Sequence, residues 1–331
     1  MKDMKDRTKI FSIFFSLLIL LFLTVITIGL GSVNISIGEI LDVFLDKGTE
    51  INESIIMNMR LPRIILATFV GSSLSISGAL LQSVMKNPLA DPGITGVSSG
   101  ASLVAILMML YFPQHYKIMP LMAFLGAILA CALVFFLSWD NGIKPMRVIL
   151  SGVAINALFS GATSLLAIMN SDKIQGVLLW LNGSMAYRGW REVNYFLPYC
   201  IIGFILALFC IRGANLLALG DEVATNLGVN VNRTRILISL VAVFLAGIST
   251  AAVGIIGFIG IIVPHVCRLI LGYDYKYLIP MSAVLGGITL LLADTLARFI
   301  ARPIELPVGV MMAMIGCPFF LFLLRRKKCN A

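Results

Sequence analysis

The stretch Ile10–Leu30, IFSIFFSLLILLFLTVITIGL, decides the fold. It holds no charged side chain, and its length matches the roughly 20 residues that a helix needs to cross a ~30 Å hydrocarbon layer. Lys2, Lys5, Arg7 and Lys9 precede it, as basic residues also precede a secretory signal. The run is long for a signal, however, and no small-x-small cleavage site follows, so a retained first span is expected. Working outward, further apolar runs lie at approximately 62–84, 94–112, 118–138, 146–169, 193–212, 234–256, 258–271, 279–297 and 307–324, which makes about ten spans. Gly254, Gly257 and Gly260 interrupt the region 234–271, and Pro264 must lie near or inside a short helix. Nine or eleven spans therefore stay open as alternatives.

Composition agrees with a membrane solvent. The chain is 59% hydrophobic and 12% charged, with a mean hydropathy of +0.99, whereas soluble domains carry roughly 25% charged residues. Ten spans with short loops use up the 331 residues, so residues 1–331 are expected to form one all-α membrane domain with no large extramembrane part. The net charge of +9 sits at span ends rather than on one aromatic-bearing surface, which speaks against nucleic acid. Sixteen of the 25 Lys and Arg residues fall on the side that holds both termini, among them Lys86, Lys144, Arg147, Arg233, Arg235 and Arg268. Both termini are accordingly expected in the cytoplasm, and an even span count keeps the basic tail Arg325–Lys328 on that side. Six cysteines without paired spacing suggest small hydrophobes rather than a disulfide framework or a metal site.

Small residues recur at helix-contact spacing, as in Gly71, Ser75, Ala79 and Ser83, and in Ala242, Ala246, Thr250 and Gly254. Lipid tails are as apolar as leucine, so helices in a bilayer associate by close backbone approach; one compact bundle is expected. No Asp, Glu, Lys or Arg falls near the expected bilayer centre, where ion-coupled transporters and pumps commonly keep ionisable groups. The bundle therefore lacks an energy source of its own. Gln82 and Asn156 are its notable embedded polar groups, and interhelical hydrogen bonding accounts for both.

Four segments stand out. Gly96–Gly100, GVSSG, matches a nucleophile elbow, but it opens an apolar helix, and the chain has only His115 and His265 to serve as a base. Chance or tight helix packing explains it better than an intramembrane serine hydrolase does. Gly78–Gly93 stops a helix at Pro88 and restarts one after Pro92, either as a plain cytoplasmic hairpin or as backbone lining a cavity. Leu219–Gly228 reads as a short cytoplasmic helix with Asp221 and Glu222 in its first turn and Gly228 as a left-handed cap. Its Val223 and Leu227 share one face, which suits either docking into a partner's groove or resting on the bilayer interface. On the outer side, Arg60 and Arg63 open the second span while Asp294 and Arg298 close the ninth. These arginines either snorkel to lipid phosphates or form a rim for a partner's carboxylates.

Taken together, these segments resemble the FecCD-type permeases of ABC importers, which include cobalamin, iron-siderophore and haem permeases. The resemblance runs from about Arg60 to Leu324 and is most specific at Arg60–Arg63, Gly78–Gly93, Leu219–Gly228, Gly257–His265, Ala293–Arg298 and Leu306–Gly309. It implies a ten-span permease in a bacterial cytoplasmic membrane, pairing with an identical or related second permease subunit around a central pathway. Two cytoplasmic ATPase subunits using ATP and Mg, and an extracytoplasmic substrate-binding protein, are the implied partners. No cofactor, metal or catalytic residue is implied for this chain. By the resemblance, Asp221 to Gly228, within a coupling-helix region at about 215–232, meets the ATPase through Val223 and Leu227. Asp221 and Glu222 shape the helix start or pair with basic residues of the ATPase. Asn87 and Leu89 match the cytoplasmic gate, Arg60, Arg63 and Arg298 match arginines that meet binding-protein glutamates, and 146–169 lines the pathway. The departure lies at Leu178–Ser184, expected as an outer loop where substrate contacts vary. Iron-siderophore is the first expectation for the cargo, haem the second and cobalamin the third; an ion-coupled secondary transporter is the rival from another class.

Overall fold

The computed structural model describes residues 6–31, 33, 35–140, 142–301 and 304–328, with side chains described as far as residue 321. All regular elements among them are helices. α1 (Asp6–Gly29) leads to the short α2 (Ile37–Phe44) and α3 (Glu50–Glu53), which continues through a π-helical stretch, Ser54–Arg60, into α4 (Leu61–Met85). Then follow α5 (Val97–Tyr111), α6 (Met119–Ser138), α7 (Pro145–Met169), α8 (Ile174–Leu181), α9 (Trp190–Ala218) and α10 (Asp221–Asn226). The chain closes with α11 (Val231–Val253), α12 (Ile259–Leu271), α13 (Tyr275–Ile300) and α14 (Val308–Lys328). Seven helices are long and apolar enough to cross a membrane: α1, the rod 50–85, α6 with its leading turn, α7, α9, α11 and α13. α5, α12 and α14 are shorter apolar helices. Each apolar run read from the sequence coincides with one of these ten.

α4 is the central post, buried along almost its whole length and packed against α9, α11, α12 and α13. Its small residues explain why. A Cβ on Gly71 would overlap the carbonyl of Gly286 in α13, and one on Gly78 would overlap the backbone of Gly260 in α12. Its hydroxyls reach across as well: Ser72 donates to the Ala283 carbonyl at 2.6 Å and Ser77 to the Ala242 carbonyl at 2.5 Å. Close backbone contact and interhelical hydrogen bonds are the forces left when lipid removes the hydrophobic drive between helices. α1, by contrast, turns Phe11, Phe14, Phe15 and Phe22 outward and leans on α13.

Two features depart from a plain ten-rod bundle. Leu178–Leu181, expected in an outer loop, belongs to the helix α8, and after the exposed Asn182 the buried Gly183 and half-buried Ser184 are anchored on neighbouring helices. Ser184 N–H donates to the Val253 carbonyl at 2.9 Å, and the Gly309 N–H to the Gly183 carbonyl at 3.3 Å. There the chain from Gly254 to Phe258 runs non-helically, with Gly254 at φ +82° tight against the Trp180 carbonyl. Because Gly260 meets Gly78, about 10 Å in from the end of α4, this break lies within the bundle. Non-helical backbone is tolerated at such depth when protein groups satisfy it, as the Ser184 N–H does for the Val253 carbonyl just before the break.

Candidate functional site

The end of α4 is set by Lys86, whose left-handed φ of +49° stops the helix, and by Pro88, which cannot continue it. Asn87 then accepts the Leu89 N–H on its side-chain oxygen at 2.9 Å, holding a tight turn with Leu89 exposed. Both sides of this turn are braced. Gln82 donates to the Gly260 carbonyl at 2.9 Å and to the Ala90 carbonyl at 3.4 Å, and it accepts from Arg268. Asn156 of α7 donates to the Gly93 carbonyl at 2.8 Å while accepting from Ser99 at 2.6 Å. The embedded amides thus tie α4, α5, α7 and α12 around residues 86–93.

α10 sits beside that segment. Asp221 takes Lys86 Nζ at 2.7 Å and Arg235 at 2.9 Å, and the buried Arg235 also donates to the Ile143 carbonyl at 3.0 Å. Partial burial pulls the Asp221 carboxyl upward, but the Lys86 hydrogen bond and the Arg235 charge outweigh it and hold the group below its usual range. Asp221 therefore faces its own chain and seats the helix start. Glu222 points to solvent. Val223 is 45% and Leu227 59% exposed, whereas Ala224 between them is buried. Gly228, at φ +79°, ends the helix in a conformation that favours glycine. The result is a short helix locked on one side, with an uncovered apolar pair on the other.

The arginines expected on the outer side have a different setting from a free rim. Arg60 is 5% exposed and donates to the carbonyls of Ile28, at 2.5 Å, and Val33. Arg63 grips the fully buried Asp294 at 2.9 Å and reaches Glu305 at 2.8 Å. Arg298, one turn beyond Asp294, approaches the same carboxylate at 3.3 Å and the Leu30 carbonyl at 3.4 Å. These side chains fasten the end of α1, the start of α4 and the end of α13 to one another. The sequence identified the residues, but not Glu305 or the α1 carbonyls as their partners, since nothing in residue spacing links positions 28, 60 and 305.

This arrangement can bind, brace and move helices. Gly96–Gly100 opens α5, with Ser99 bonded to Asn156, and no strand among the described residues forms the corner that an elbow needs. The FecCD transport family model matches residues 18–326. The Fe(3+)-citrate import system permease protein YfmE of Bacillus subtilis is 39% identical over 322 residues, covering 97% of this chain and 96% of that one. The iron(3+)-hydroxamate import system permease protein FhuG of the same organism is 37% identical over 336 residues, covering 98% and 99%. Among solved structures, a metal-chelate type ABC transporter in an inward-facing conformation superposes with a TM-score of 0.86 at 30% identity, covering 95% of this chain and 98% of that one.

Proposed function

This chain belongs to the FecCD transport family, and from that premise we propose that it is the permease of an ATP-driven importer carrying an iron chelate across the bacterial cell membrane. Seven long and three shorter apolar helices support ten crossings. Lys9 lies 5.2 Å from the Tyr277 ring centre, so the starts of α1 and α13 share one end, and the basic bias assigns that end to the cytoplasm. Within the iron chelates we read the cargo as an iron-siderophore, a reading supported by relatives named for ferric citrate and ferric hydroxamate that align over almost the whole chain. Haem is the next reading, and cobalamin the alternative within the family.

The seat of α10 carries the proposal. Two cytoplasmic ATPase subunits, closing on ATP and Mg, would grip Val223 and Leu227 and push on a helix that Asp221 ties to Lys86 and Arg235. Lys86 adjoins Asn87 and Leu89, so the push arrives at the gate. A second permease subunit would complete the pathway along α7, whose Ala157, Gly161 and Ser164 are exposed. We assign Arg60, Arg63 and Arg298 to docking of the extracytoplasmic binding protein from beneath, by holding the outer helix ends in register. Charge reversal, Glu222→Lys, tests the α10 assignment: transport-coupled ATP hydrolysis should fall, and unchanged coupling counts against it.

A further inference from the structure

Between α6 and α11, with Leu206 of α9 as its floor, lies an apolar groove of about 580 Å³, within the range of small-ligand sites. Phe124, Ile128, Phe135 and Trp139 recur along α6, and Ile236, Leu240 and Phe244 along α11, at spacings that put each set on one helical face. The aromatic end of the groove points to a lipid surface. Trp139, at the inner end of the groove, is half exposed, the position of an interfacial anchor.

The mouth is positively charged. Ile143 N–H donates to the Asn232 side chain at 3.2 Å, which draws the α6–α7 turn against the first turn of α11. Lys144 and Arg147 follow Ile143 in the chain and are paired with Asp140, while Arg233, next to Asn232, is exposed. Arg233 precedes Ile236 by three and Leu240 by seven, so it continues the groove face of α11.

We propose that this groove binds one anionic glycerophospholipid of the cytoplasmic leaflet, its acyl chain along Phe135 and Phe244 and its phosphate at Arg233. Ile143, which lines the groove, also accepts from Arg235, the residue that seats Asp221. A bound lipid therefore steadies the α10 seat from behind. The leaflet assignment rests on the orientation proposed above; binding in detergent is blind to orientation and cargo, so the two can fail separately.

The test is native mass spectrometry of the purified full chain with added phosphatidylglycerol or phosphatidylcholine, beside thermal unfolding. The wild type should keep one phosphatidylglycerol per chain and gain stability from it. Ala132→Trp fills the groove from its exposed side and should cut occupancy at least about tenfold. Arg233→Ala, remote from the core, should cut it about fivefold. Equal retention of the two lipids, or undiminished phosphatidylglycerol in both variants, overturns the proposal. Loss of self-association in Ala132→Trp would mean that a second copy covers the groove, and overturns it too.

Discussion

Replacing Asp294 by Asn removes one negative charge and leaves two guanidiniums buried against it. Asp294 is fully buried and receives Arg63 at 3.2, 3.0 and 2.9 Å as well as Arg298 at 3.3 Å. Both arginines are 8% exposed, so water cannot take over the lost solvation. Breaking a buried pair from one side costs about 3–5 kcal/mol. With roughly 2 °C of midpoint per kcal/mol for a larger chain, the expected loss is about 6–10 °C. The assay is thermal unfolding in detergent followed by a thiol-reactive dye, because Cys131, Cys200, Cys210 and Cys267 are buried and label only on opening. Cys317, which is exposed, and Cys329 are first replaced by Ser. Lys144→Ala, which breaks a surface pair, serves as the control and should leave the midpoint in place. A shift in Asp294→Asn no larger than the control's would refute the view that this carboxylate clamps the end of α1, the start of α4 and the end of α13 together.

Gly78→Val should sharply lower the yield of folded protein in size-exclusion chromatography, since its side chain would overlap the backbone of Gly260 and overpacking costs ~1–3 kcal/mol or more; a normal elution profile would contradict it. Val223→Asp or Leu227→Asp should abolish co-purification of the ATPase subunits while leaving the unfolding midpoint unchanged, because both side chains are exposed. The Asp221 carboxyl is held below its usual range, so its ties are complete above the unfolded value and are lost as pH falls through the lower folded value. Hydrogen-exchange protection of α10 should therefore stay constant from pH 8 to 5, as expected for a carboxylate ionised above about 4, and drop only in stronger acid. A drop near neutrality would point to another group.

Much of the bundle was legible because the membrane imposes a length rule on composition. A crossing helix needs an uninterrupted apolar run, and each of the ten runs found by that rule is a helix in the structure. Gly254–Gly260 announced its interruption through glycine, and Asp221–Gly228 its short helix through acids at the start and a glycine at the end. The anchoring of Gly183 and Ser184 on the bundle was not legible. Leu178–Leu181 is apolar, but too short to tell an inserted helix from a surface loop, and its anchors at Val253 and Gly309 are remote in sequence. The outer arginines were visible as residues, not as a clamp. Charge placement suggested a surface role, and only the position of Asp294 beneath them, with Glu305 alongside, turns them inward. Asp221 was likewise visible as an acid at a helix start, but its two cationic partners come from α11 and the end of α4.

The central claim is that a helical conduit, with no Asp, Glu, Lys or Arg expected from its sequence at its middle, borrows its energy through α10. Uptake of a ferric chelate into sealed vesicles tests it most directly, with the chain reconstituted alone or with its ATPase subunits, binding protein and ATP. Accumulation against a gradient is predicted only for the full assembly, with loss in Val223→Asp; accumulation by the chain alone under a proton or sodium gradient would contradict the account.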